Sequence, residues 1–182
     1  MGVTWGSTVY HMINYLNPSQ KVNAKFVTLH GSIACCENEL DVRTLVSRMA
    51  KAFFGENYYL LTDALMSSKE ASRIMKEEKK NPFLQSPDFM FTEDLEMLKQ
   101  ENVSGDIALR FFDHDGQECN TTLKERMISI SMEQFKKIDR KISLVSGVSK
   151  ANAVLSALKG GLVDVLILDS NLAEALLKLT QE

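Results

Sequence analysis

The 182-residue sequence predicts an α/β fold. Two observations carry that expectation. Short β-rich runs alternate with segments of about ten residues whose apolar side chains recur at helical spacing, the pattern of parallel βαβ units. Apolar residues make up 45% and charged residues 25%, the balance of a chain that buries one core, and the length suits a single domain over 1–182.

The chain opens abruptly, with Met1 to Gly6 reading as a strand end that runs into a loop, as expected of a domain cut from a longer protein. Val9, Met12, Ile13 and Leu16 then line one face of a helix that begins at Ser7 and stops at Asn17-Pro18. Lys25 to His30 is a β-rich run ending at Gly31. Val42, Leu45, Val46, Met49 and Phe53 form the next helical stripe, which Gly55 ends. Tyr58 to Leu61 is a third strand, and Ser67 with Glu70 has the spacing of a capping box. The run from Lys79 to Thr92 carries two of the three prolines without periodicity, hence a loop or a join.

A short helix over Thr92–Gln100 has an acidic first turn. Asp106 to Phe112 reads as one strand, with Asp113 to Gly116 turning it into a hairpin. Ser131 and Gln134 make a capping box for a helix through Ile138. The end is regular: strand Ile142–Val145, loop Gly147–Lys150, helix Ala151–Lys159 stopped by Gly160-Gly161, strand Val163–Leu168, and a last helix capped at Asp169-Ser170.

Several function classes are excluded at this level. A net charge of −3 argues against binding nucleic acid through this chain alone. No apolar run approaches ~18 residues, and no secretory signal is visible. Three cysteines, two of them adjacent at Cys35-Cys36, read as reduced thiols of a cytoplasmic protein. No metal site is expected and no cofactor is implied. Neither a Ser-His-Asp order, a paired-carboxylate motif nor a P-loop occurs.

Ligands of parallel sheets bind beyond the carboxyl ends of the strands, at helix N-termini. Gly6-Ser7-Thr8 offers close backbone approach, two hydroxyls and the first N–H groups of a helix to an anion such as phosphate, although Ser7 could simply cap that helix. His30-Gly31-Ser32 is a second loop of small residues, in which His30 is a ligand, an acid or base, or a packed core histidine. Gly147 and Lys150 lie in a third. A lysine in the first turn of a helix opposes the dipole, and a bound anion removes the conflict; a solvated lysine would bear it at small cost. Asp106 could accept hydrogen bonds from sugar hydroxyls or stand solvated at a strand start.

Taken together, Gly2-Val-Thr-Trp-Gly-Ser-Thr8, Gly105 to Gly116, Ser146 to Lys150, Ala157 to Gly161 and Val165 to Asp169 resemble the sugar-binding effector domain of SorC-type bacterial transcription regulators. The resemblance implies a Rossmann-like three-layer sandwich, like that of sugar-phosphate isomerases and CoA transferases. It implies a non-enzymatic sensor of a phosphorylated sugar that controls DNA binding by an N-terminal helix-turn-helix domain absent from this chain. By position it makes Gly6, Ser7 and Thr8 the phosphate loop, Asp106 the acidic sugar contact and Lys150 the lysine to the ligand phosphate. Regulators of this kind are homo-oligomers, dimers or tetramers. Phe83, Phe89, Met90, Phe91, Tyr58 and Tyr59 are candidate interface residues. The sequence departs from the family in the proline-bearing run, where relatives carry a further strand and a glycine-rich loop, and in Val148 after Gly147. The alternative is an enzyme on the same fold, a sugar-phosphate isomerase or a Schiff-base aldolase using Lys150.

Overall fold

The computed structural model describes residues 1–18, 21–33, 39–60, 62–77 and 92–181. It is a mixed α/β structure with parallel strands and divides into two compact units. Phe83, Phe89, Met90, Phe91, Cys35 and Cys36 lie outside the described residues, as does most of the proline-bearing run.

The first unit comprises 1–91 and 125–129. Strands β1 (Gly2–Val3), β2 (Lys25–Thr28) and β3 (Glu56–Tyr58) form a parallel sheet with β2 in the middle. Gly2 pairs with Val27, and Lys25 with Glu56. Alternation along β2 buries Phe26 and Thr28 and exposes Lys25 and Val27. Phe26 and Val3 pack on Ile13 of α1 (Ser7–Asn14) and on Leu45, Val46, Met49 and Ala50 of α2 (Val42–Phe53). Leu45, Val46 and Met49 belong to the apolar stripe read from the sequence, with Phe53 partly buried against the same core. Helix α3 (Lys69–Glu77) follows, and 125–129 returns to pair with this unit through His30–Ser129 and Leu65–Met127 bridges.

The second unit comprises 92–124 and 130–182. Helix α4 (Thr92–Gln100) precedes an antiparallel hairpin of β4 (Gly105–Ile107) and β5 (Arg110–Phe112). Helix α5 (Leu123–Arg126) starts in this unit and runs into the 125–129 segment of the first, and helix α6 (Met132–Lys136) follows, closed by the Ser131–Gln134 capping box. Strands β6 (Ile142–Val145) and β7 (Val165–Leu168) pair in parallel across α7 (Ala151–Lys159), and α8 (Ser170–Leu179) ends the chain. Ala151, Val154 and Leu172 form their core with Val145, Leu166 and Leu168.

Three expectations are corrected. The run Asp106–Phe112 is two strands, because Ala108 and Leu109 take positive φ (51° and 62°) and turn the chain back. Left-handed backbone costs such residues about 1–2 kcal/mol each. Burial of Leu109 (3% exposed) contributes a comparable amount, and its N–H donates to the Asp106 carboxylate. The Asp113–Gly116 turn exists as well, leading to a Phe112–Glu118 bridge. The cap of α3 is Ser68, whose Oγ accepts from the Ala71 N–H at 3.1 Å, while Glu70 pairs with Arg73 instead of completing a box with Ser67. The third strand sits at Glu56–Tyr58, just after the α2 stop, where Glu56 pairs with Lys25. The described strands form three ladders, the Gly6 loop following β1 of the three-stranded one and the Lys150 loop following β6 of a two-stranded one.

Candidate functional site

In the first unit β1 delivers Gly6 to the start of α1 with φ 135°, a conformation open to glycine, and a Cβ there would meet nothing within 4 Å. Gly6 is the N-cap and no side chain caps the helix. Ser7 is therefore the first helical residue, exposed, with Thr8 half-buried behind it. An uncapped, solvent-facing N-terminus with adjacent hydroxyls is a place where an anion meets donors and the positive end of the helix dipole.

The His30-Gly31-Ser32 segment is built differently. His30 is fully buried. Its Nε2 accepts the Trp5 N–H at 3.2 Å, so Nδ1 carries the proton and donates to the Gly31 carbonyl at 2.6 Å. Burial holds its pKa below the ordinary histidine value, against the opposing pull of the Gly31 carbonyl and Asp41. Gly31 is buried, and a Cβ there would lie 2.5 Å from the Asp63 carbonyl oxygen. Ser32 Oγ donates to Asp41 and accepts from Arg43 Nη2 at 2.9 Å. Asp41 also takes the Arg43 N–H and Nε, both at 3.0 Å, as the N-cap of α2. Burial would raise the Asp41 carboxyl, but the hydrogen bonds from Ser32 and Arg43 outweigh it and bring it below the usual range.

In the second unit Asp106, Gly147 and Lys150 are all exposed. Gly147 has φ 100° with open space where a Cβ would be, and opens a 3-10 turn over Val148–Lys150 that leads into α7. Lys150 stands at the N-cap of α7, which has no side-chain cap. Asp106 is reachable by solvent, yet protein surrounds it closely enough that lost hydration raises its carboxyl, opposed by the Leu109 N–H and the Lys150 charge. The last strand-to-helix loop holds the site residue that sequence reasoning placed only as a cap. Asp169 accepts the Gly147 N–H at 2.8 Å through Oδ2 and the Leu172 N–H at 2.9 Å through Oδ1. Those hydrogen bonds, Gly147 first, lower its pKa and pin the lysine loop to α8. The Ser32–Asp41–Arg43 cluster was also missed; its one sequence signal is an Asp at a helix start.

Gly6, Ser7 and Thr8 thus form an open anion-receptive end, and Asp106, Gly147 and Lys150 an open edge with a carboxylate acceptor and a cation. His30, Gly31 and Ser32 form a packed junction. Isomerase chemistry needs an acid and a base, and His30 has both nitrogens committed inside the protein. A Schiff-base lysine needs desolvation, and Lys150 lies in solvent. Among the described residues no group of three His, Cys, Asp or Glu could hold a metal ion, and no helix is long and apolar enough to cross a membrane.

A family model described as "Putative sugar-binding domain" matches residues 1–87 and 81–178. The chain is 25% identical to the deoxyribonucleoside regulator of Bacillus subtilis, over 97% of this chain and 63% of that protein. It is 32% identical to the sorbitol operon regulator of Klebsiella pneumoniae over 50% of this chain and 29% of that protein. Its fold matches the full-length sorbitol operon regulator SorC of Klebsiella pneumoniae with a TM-score of 0.88 at 23% identity, covering 97% of this chain and 65% of that one. A probable sor operon regulator from Shigella flexneri matches with a TM-score of 0.87 at 25% identity, covering 97% and 79%. The chain spans less than two thirds of the length of the Bacillus regulator.

Proposed function

Because this chain belongs to the sugar-binding domain family of SorC-type transcriptional regulators, we propose that its effector is a phosphorylated sugar. The observation that carries this is the open edge of the second unit. Exposed Lys150 at an uncapped helix start and the acceptor-only carboxylate of Asp106, which feels its charge, answer the two chemical ends of such a molecule. Lys150 neutralises the ligand phosphate, and Asp106 accepts hydrogen bonds from sugar hydroxyls. Within the first unit, Gly6, Ser7 and Thr8 offer an anion N–H and hydroxyl donors of their own. Asp169 acts on the ligand indirectly by fixing Gly147.

The regulator relatives support a sensor rather than a catalyst, acting in the cytoplasm on DNA bound by another domain. The finer architecture we propose is a Rossmann-like three-layer sandwich folded as one domain over 1–182, assembling as a dimer or tetramer, with exposed Tyr58 as an interface candidate.

A thermal-shift panel of sugars and their phosphates tests the reading. A phosphorylated sugar at about 100 times its Kd adds about 2.7 kcal/mol of stability. Lys150→Ala is expected to weaken that ligand far more than its unphosphorylated parent. Equal weakening of both would remove phosphate from the scheme.

A further inference from the structure

We infer that α2 carries a second anion site, away from the sugar-binding residues, for a small phosphate monoester with a planar body. Arg43, Ser47 and Lys51 recur at i, i+4, i+8, and Thr44 and Arg48 at i+1 and i+5, so one side of the helix presents all five. With Tyr59 they line an open groove of about 530 Å³, within the size range of small-molecule sites.

The charges in the groove are held ready. The Arg48 guanidinium donates to Asn14 Oδ1 and lies 4.9 Å from the centre of the Tyr10 ring, so a neutral amide and an aromatic face fix it rather than a carboxylate. None of the ion pairs among the described residues involves Arg48 or Lys51. Glu39 is engaged by the Tyr10 hydroxyl at 2.7 Å. Arg43 alone is compensated, by Asp41. Two cations at i, i+3 on one helix repel, and the core does not need them, because the buried stripe of α2 is Val42, Leu45, Val46, Met49 and Ala50. A phosphate between Arg48 and Lys51 converts that repulsion into charge-assisted hydrogen bonds, with the Thr44 and Ser47 hydroxyls in reach of the same groove. Tyr59, 46% exposed, adds a ring on which a planar body stacks. A nucleoside monophosphate has both parts.

The test is calorimetric titration of the full chain with adenosine 5′-monophosphate and, separately, with inorganic phosphate. Lys51 is exposed, so K51Q and K51E leave the fold intact. Both are expected to weaken both probes by about tenfold or more. Y59A is expected to weaken the nucleotide and spare inorganic phosphate, and K178Q, at an exposed lysine of α8 outside both sites, to change neither titration. Absence of binding at millimolar concentrations overturns the proposal, as does affinity unchanged by K51E. Nucleotide binding lost in K150A but kept in K51E would put the nucleotide in the sugar site. Saturation of the same residues by duplex DNA in place of the nucleotide would assign the surface to nucleic acid.

Discussion

Gly6 and Gly31 follow neighbouring strands of the same parallel sheet, and in the sequence both are loop glycines among small polar residues. Gly6 has φ 135° and empty space at its Cβ position; Gly31 has the Asp63 carbonyl oxygen 2.5 Å from where a Cβ would go. One glycine is present for its backbone conformation and leaves a helix end open. The other is present because a second stretch of backbone passes through the space a side chain would take. His30 and Ser32 share the fate of Gly31: His30 is sealed between the Trp5 N–H and the Gly31 carbonyl, and Ser32 between Asp41 and Arg43. The contrast teaches that a glycine at the carboxyl end of a strand answers one of two needs, a special backbone conformation or a close backbone approach, and that burial separates them.

The contrast can be broken most decisively at Gly31. Gly31→Ala is expected to cost about 3 kcal/mol, the upper end for forcing atoms into a filled space, because backbone rather than a flexible side chain stands in the way. Gly6→Ala is expected to cost about 1 kcal/mol, from strain alone. Urea denaturation of both variants measures the difference, and equal losses would erase the distinction between the two glycines.

Lys150→Ala addresses the open side. Stability is expected to change by no more than about 0.5 kcal/mol, as for surface substitutions generally. Affinity for the phosphorylated sugar is expected to fall by about tenfold or more, measured by calorimetry. A large loss of stability with ligand affinity retained would move Lys150 to the structural side of the comparison.

Asp106→Asn sharpens the same side through pH. Lost hydration raises the folded-state pKa of Asp106. The folded protein therefore holds this proton more tightly than the unfolded chain, and the carboxylate costs stability increasingly as pH rises from its unfolded value through the raised one. The Asn variant is expected to melt higher than the parent at pH 7, with the gap closing toward acid, while binding sugar less well. Melting curves across pH that show the variant less stable at pH 7 would contradict that sign.

The smallest effect concerns His30. Its folded pKa lies below the ordinary value of 6.5, so the unfolded chain binds the proton first and stability is lost as pH falls below about 6.5 toward the folded value. Protonation at Nε2 also removes the acceptor for the Trp5 N–H. His30→Gln is expected to be less stable at pH 7 and to lack that part of the acid slope, which melting temperatures between pH 5 and 8 would show.

Most elements were legible because their signals are local. The stripe of Val42, Leu45, Val46 and Met49, the Ser131–Gln134 box and the Asp169 cap each depend on residues within a few positions. The hairpin at Ala108-Leu109 was not legible, since neither residue favours positive φ and burial together with the Leu109 N–H to Asp106 makes the turn tolerable. The helix start at Ser7 and the Gly147–Lys150 turn before α7 were legible from residue type and spacing.

What the sequence determined by itself was the alternation of strands and helices, the positions of the caps and the small-residue loops after the strands, all short-range in the chain. Only the tertiary structure decided which of those loops stay open. His30 meets Trp5 across 25 positions, Ser32 meets Asp41 across 9, and Gly147 meets Asp169 across 22. Whether a polar group faces solvent or a partner is set by chain segments that arrive from elsewhere, and a burial of that kind leaves no mark on the few residues around it.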